Sequence, residues 1–116
     1  MSKKKSRAKD AEERMLKVDR LAQGVTGDPK REASAERYHR ALLDAVVAIK
    51  DADGAQDFLE LAEGHARLIA TTYAGMPDGA IRGVLDYITL RAQSHIVSAR
   101  VSGNFAQLFI EPEGHA

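Results

Sequence analysis

From residue 28 onward, apolar positions fall at helical spacing in three successive blocks. In the first, Tyr38, Leu42, Ala45 and Ile49 share one face, which Ala41 and Val46 widen. Asp28-Pro29 suits a helix start, Asp as N-cap and Pro in the first turn, although the helix could also open near Ser34. Asp51-Ala52-Asp53-Gly54 ends it, and Asp53 with Gln56 resembles a capping box for the next helix. There Phe58, Leu61, Ala62, His65, Leu68, Ile69 and Thr72 line one face, with Glu60, Glu63 and Arg67 opposite. Gly75 stops it. After the break at Met76-Pro77-Asp78-Gly79, with Asp78 as the expected cap, the third block carries Ile81, Val84, Leu85, Ile88, Ala92, His95 and Ile96 on its main face. A second apolar strip, Tyr87, Leu90, Val97 and Val101, runs roughly opposite. A helix apolar on two sides is buried on two sides. The pattern therefore predicts helices at about 28–50, 54–74 and 79–101, the last needing a partner on its second side.

The front of the chain reads differently. Only Met15, Leu16, Val18, Leu21 and Val25 are large and apolar before Tyr38, after the initiator Met1, against 26 from Tyr38 to Ile110. The core is expected in the last two thirds. Ala11, Met15, Val18 and Ala22 still make a thin helical stripe, and Asp10–Arg14 and Glu13–Lys17 are acid-before-base pairs at i,i+4. A weaker helix at 10–23 follows, stopped by Gly24-Val25-Thr26-Gly27 and preceded by a charged arm at 1–9 with no reason to fold alone. At the other end, Phe105, Leu108 and Phe109 suit a helical turn, while Phe105, Gln107 and Phe109 suit a strand.

The expected fold is all-α: a small antiparallel helical bundle of three main helices with a weaker N-terminal helix, oligomeric because of the two-sided last helix. Its segments are a basic arm and weak helix at 1–27, the bundle at 28–104, and an apolar tail segment at 105–116.

Composition changes this picture in one respect. The net charge is zero, yet residues 1–40 hold 12 of the 17 Lys and Arg against 7 acids, and residues 41–116 hold 5 bases against 10 acids. A basic front on an acidic body points to an anionic partner, or to contact between the two. There is no cysteine, which excludes disulfides, thiolate metal sites and cysteine nucleophiles. No apolar run approaches a membrane span. Lysines at the start lead into Asp10, Glu12 and Glu13 rather than a signal-type stretch, so a cytoplasmic protein is expected. The Ala, Gly, Asp and Arg usage fits a GC-rich bacterial or phage gene.

Candidate chemistry is sparse. Glu36 and His39 have the E-x-x-H spacing of di-iron bundles, but that site needs the motif twice with two further glutamates. A solvated helix shoulder is the expected reading, with neither metal nor cofactor. His65 and His95 sit within apolar faces. In an α-hairpin turning at Pro77, His65 would lie near Ile88 and His95 near Phe58, too far apart to pair. The serines have no nucleophile-elbow context, and no glycine-rich loop follows a strand. No convergent catalytic set exists, so a non-enzymatic role is expected. Gly75, Gly79 and Gly83 recur one turn apart, and Gly83, inside the helix, asks for close packing to justify its cost.

Two functional expectations follow. The first is a protein-interaction module, an adaptor, regulator or assembly unit, that self-associates or binds a protein partner through Tyr87, Leu90, Val97, Val101, Phe105, Leu108 and Phe109. The second is a nucleic-acid accessory protein using Lys3, Lys4, Lys5, Arg7 and Lys9 on phosphates. A helix-turn-helix at 67–86 is a weaker variant, because Asp78, Arg82 and Asp86 would face the duplex with two acids against one base.

Overall fold

The structure, a computed structural model, describes residues 3–109, with side chains from Ser6 onward. Among these residues it is all-helical: α1 (Lys3–Thr26), α2 (Pro29–Asp53), α3 (Phe58–Tyr73) and α4 (Asp78–Ser102). None of the four is long and apolar enough to cross a membrane.

The helix ends follow from local chemistry. Asp28 caps α2, its Oδ1 accepting from the backbone N–H of Lys30 at 3.0 Å and of Arg31 at 3.4 Å, with Pro29 in the first turn. Gly54, at φ 92°, closes the other end and donates its N–H to the Lys50 carbonyl. The expected capping box at Asp53 and Gln56 is not formed. Asp53 is the last residue of α2, and Asp57 caps α3 instead, accepting from Leu59 at 2.8 Å and Glu60 at 3.2 Å. Gln56 is engaged elsewhere, donating its N–H to the Leu108 carbonyl at 2.6 Å. Asp78 is likewise not a cap: α4 opens after an extended Pro77 with no side-chain capping bond, and Asp78 supplies negative charge to its first turn. Gly103, left-handed at φ 72°, ends α4, and the N–H groups of Gly103 and Asn104 both reach the Ala99 carbonyl.

The greatest departure from the sequence reading is α1. It runs 24 residues, as long as α2 and α4 within a residue, and takes in the backbone of the expected arm from Lys3. Its start carries no acid in the first turn, so the helix dipole opposes the basic residues there, and the docked stretch beyond must carry the helix back toward Lys3. Both close helix packings in the fold involve it, one with α2 and one with α4. Val18 and Ala22, at 4% and 3% exposed, are the buried residues among those described. The core expected between Tyr38 and Ile110 is thus centred on α1, because its narrow apolar stripe lets two other helices approach together. Arg31 Nη1 donates to the Gly24 carbonyl at 2.9 Å and ties the α1–α2 corner.

Beyond this seam the fold is open. No residue of α2, α3 or α4 is fully buried. The hairpin expected between the second and third apolar blocks does not close: α3 makes no packing on α4 comparable to that of α1. Pro77, at φ −61° and ψ 148°, sets the corner between them. The tail after Gly103 forms neither a helical turn nor a strand as far as Phe109, where an isolated parallel bridge joins it to Gln56. Ile110 and the remainder of the expected tail segment lie outside the described residues.

Candidate interaction surface

Two size measures show how much of the chain is left uncovered. A compact chain of 116 residues has a radius of gyration of about 13 Å, whereas this one has 17.2 Å. A folded 12.6 kDa monomer exposes about 6,200 Å² on the usual scaling. This chain exposes 9937 Å², an excess of about 3,700 Å² over that scaling. The excess is not confined to charged side chains. Phe58, Leu59 and Leu68 of α3, Tyr38, Leu42 and Ile49 of α2, and Ile96, Val97 and Val101 of α4 are all exposed.

The expected partner strip on α4 divides in the middle. Tyr87 and Leu90 are half-buried within the chain itself, in the part of α4 from Ile81 to Arg91 where only the face of Arg82, Leu85 and Thr89 is exposed. Val97 and Val101 are 63% and 85% exposed. From Ala92 to Ser102 only Ala99, on the opposite side of the helix, is half-buried. Phe105 and Phe109 are exposed as well. Leu108 is separated from this strip: it is half-buried and lines a different feature, an apolar cleft between α2 and α3.

That cleft was not visible in the sequence. It encloses about 420 Å³ and is walled by Leu42, Leu43, Ala45 and Val46 from α2 and by Leu61, Gly64, His65 and Leu68 from α3. His39 stands at its edge, so the two histidines read separately from the sequence border one cavity. Their apolar faces meet because the Gly54 corner folds α2 and α3 back toward each other, without bringing them into close contact. His39 also lies 3.6 Å through Nδ1 from Glu36, whose other oxygen pairs with Arg40 at 3.3 Å, all well exposed. This is a solvated surface cluster, and among the described residues no group of three or more possible metal ligands forms. His95 is remote from Phe58's helix face as packed here; it sits exposed on α4, 3.3 Å from Arg91 Nη2.

A third feature lies between α1 and α4: a charged cleft of about 640 Å³ lined by Arg7, Asp10, Glu13, Arg14, Lys17, Arg82 and Asp86. It joins Arg7 of the basic arm to Arg82 of the expected recognition helix. None of its four bases has an ion-pair partner within 4 Å among the described residues. Of the other arm residues, Lys9 is exposed on α1, and the side chains of Lys3, Lys4 and Lys5 lie outside those described. The helix-turn-helix at 67–86 does not assemble, since that motif needs α3 and α4 packed on one another.

The close packing expected at Gly83 is not supplied within the chain. A Cβ added at Gly83 would meet no atom within 4 Å, and the same holds at Gly64, Gly75 and Gly79. Two glycines inside helices, Gly64 and Gly83, are therefore left without an intrachain reason.

Comparison with protein-family models, with curated proteins and with solved structures gives no match for this chain.

Proposed function

We propose that this protein is a non-enzymatic interaction module whose fold is completed by another polypeptide docking on the outer strip of α4 and the extended segment after it. The observation that carries this reading is the set of exposed apolar side chains on α4, Ile96, Val97 and Val101, on a chain whose total exposed surface is about 3,700 Å² beyond the size scaling for a monomer. A stable interface of ordinary size buries about 800 Å² per partner, so the excess matches a permanent assembly better than a passing encounter. Val97, Val101 and Phe105 are 63%, 85% and 57% exposed. The test is Val97→Glu, measured by light scattering. A charge at that site should reduce the assembled mass while leaving the helical signal intact, because Val97 supports nothing within its own chain. An unchanged mass for this variant refutes the reading.

One observation favours a second reading, binding of a nucleic-acid backbone. The α1–α4 cleft brings Arg7, Arg14, Lys17 and Arg82 to one side of the molecule, where they could meet successive phosphates. Asp10, Glu13 and Asp86 in the same cleft work against it, which places this reading second.

A further inference from the structure

We propose that the partner is a second copy of this chain, and that the exposed C-terminal half of α4 from each copy fills the α2–α3 cleft of the other around a two-fold axis. This rests on the reading of α4 as a polypeptide-binding helix and adds the identity of its partner and the site that receives it.

Three observations converge on the exchange. The chain carries both halves of a contact and satisfies neither: an open apolar cleft lined by Leu42, Val46, Leu61 and Leu68, and a projecting apolar helix end bearing Ile96, Val97 and Val101. Residues 92–102 extend roughly 16 Å at 1.5 Å per residue, enough to lie along the cleft wall from Leu61 to Leu68. A two-fold contact repeats itself, so one such insertion implies the reciprocal one, and both surfaces are covered at once.

The second observation is the spacing on α4. Gly83, Leu90 and Val97 recur every seven residues, with Tyr87, Ser94 and Val101 four further on. Four of these six, Tyr87, Leu90, Val97 and Val101, are apolar, as on a face that packs against another helix. Its first half is half-buried within the chain, while Val97 and Val101 of its second half have nothing to face. The third is Gly64. A glycine inside a helix costs up to about 1 kcal/mol relative to Ala, and no atom lies near the position of its missing Cβ. It stands on the cleft wall, where the absence of a side chain lets a partner helix come close. The area allows it: a total excess of about 3,700 Å² per chain is more than the roughly 1,000–2,500 Å² that each partner of a permanent dimer buries.

The chain has no cysteine, which makes a cross-link test clean. One preparation carries Leu42→Cys, in the cleft, and the other Val97→Cys. Mixed, equilibrated and oxidised, they should give a disulfide-linked band at twice the chain mass, stronger than with either variant alone or with Leu42→Cys mixed with Glu12→Cys. A second variant, Gly64→Leu, fills the cleft from within and should shift the full chain from two-chain to one-chain mass with its helical signal retained. If no mixed cross-link forms and Gly64→Leu leaves the assembled mass unchanged, the exchange is overturned. Dispersal by Val97→Glu in that case would leave the α4 reading standing. A wild-type chain of native helicity at one-chain mass overturns the second copy as partner.

Discussion

Val18→Ala is the most informative perturbation of the fold itself. Val18 is 4% exposed on the helix that packs against both α2 and α4. Replacing it removes two buried methyl groups, about 0.8 kcal/mol each in lost transfer free energy. A cavity term adds to this, because α2 and α4 are held by the same seam and cannot both close the gap. The total should be about 2–3 kcal/mol, a large share of a typical domain stability of about 5–15 kcal/mol. Val101→Ala is the matched control: the same atoms are lost from a side chain 85% exposed within its own chain. Urea unfolding followed by circular dichroism, at two protein concentrations, separates the effects, since only an assembly-linked contribution changes with concentration. Val18→Ala should lower the midpoint at both concentrations. Val101→Ala should act only where the chain is assembled. A cost below about 0.5 kcal/mol for Val18→Ala, the range of ordinary surface changes, would refute the placement of α1 at the centre of the fold.

Two further outcomes are expected. Asp57→Ala should destabilise α3 by about 1 kcal/mol, the usual cost of a lost N-cap, and more than Asp53→Ala; equal effects in thermal unfolding would favour the capping box at Asp53 instead. On the nucleic-acid reading, fluorescence anisotropy should show binding that weakens steeply with salt and is lost in a chain starting at Asp10. Arg82→Glu should also reduce the salt slope, since each phosphate contact contributes about one unit; salt-independent or absent binding in the full chain removes this reading.

How far the sequence discloses the molecule depends on how local each feature is. The limits of α2 and α4 were legible because Asp28, Pro29, Gly54 and Gly103 act on their own neighbours. The cap of α3 lies four residues beyond the expected one: α2 runs on through Asp53, Asp57 caps α3, and Gln56 between them bonds a distant partner, the Leu108 carbonyl, that the local sequence does not disclose. The role of α1 was hidden by counting large apolar residues. Val18 is one of only five large apolar residues in that stretch and Ala22 falls outside the count, yet these two are the buried ones. The surplus apolar strip on α4 was legible as a pattern, and its outer half is indeed exposed at Val97 and Val101. The α2–α3 cleft was not legible, since Leu42 and Leu61 each look like ordinary core positions until the fold leaves them uncovered. The cost of Gly83 was legible, but no atom of the chain lies within 4 Å of its missing Cβ, so the fold of one chain does not supply the close packing that it asks for.

The central claim is that this fold is completed by a second copy, and the mass of the unmodified chain in solution tests it most directly. Sedimentation equilibrium across a range of concentrations should give twice the 12.6 kDa of one chain, or a higher even multiple, with the helical content of the four helices. A fully helical species at 12.6 kDa at every concentration would contradict the account.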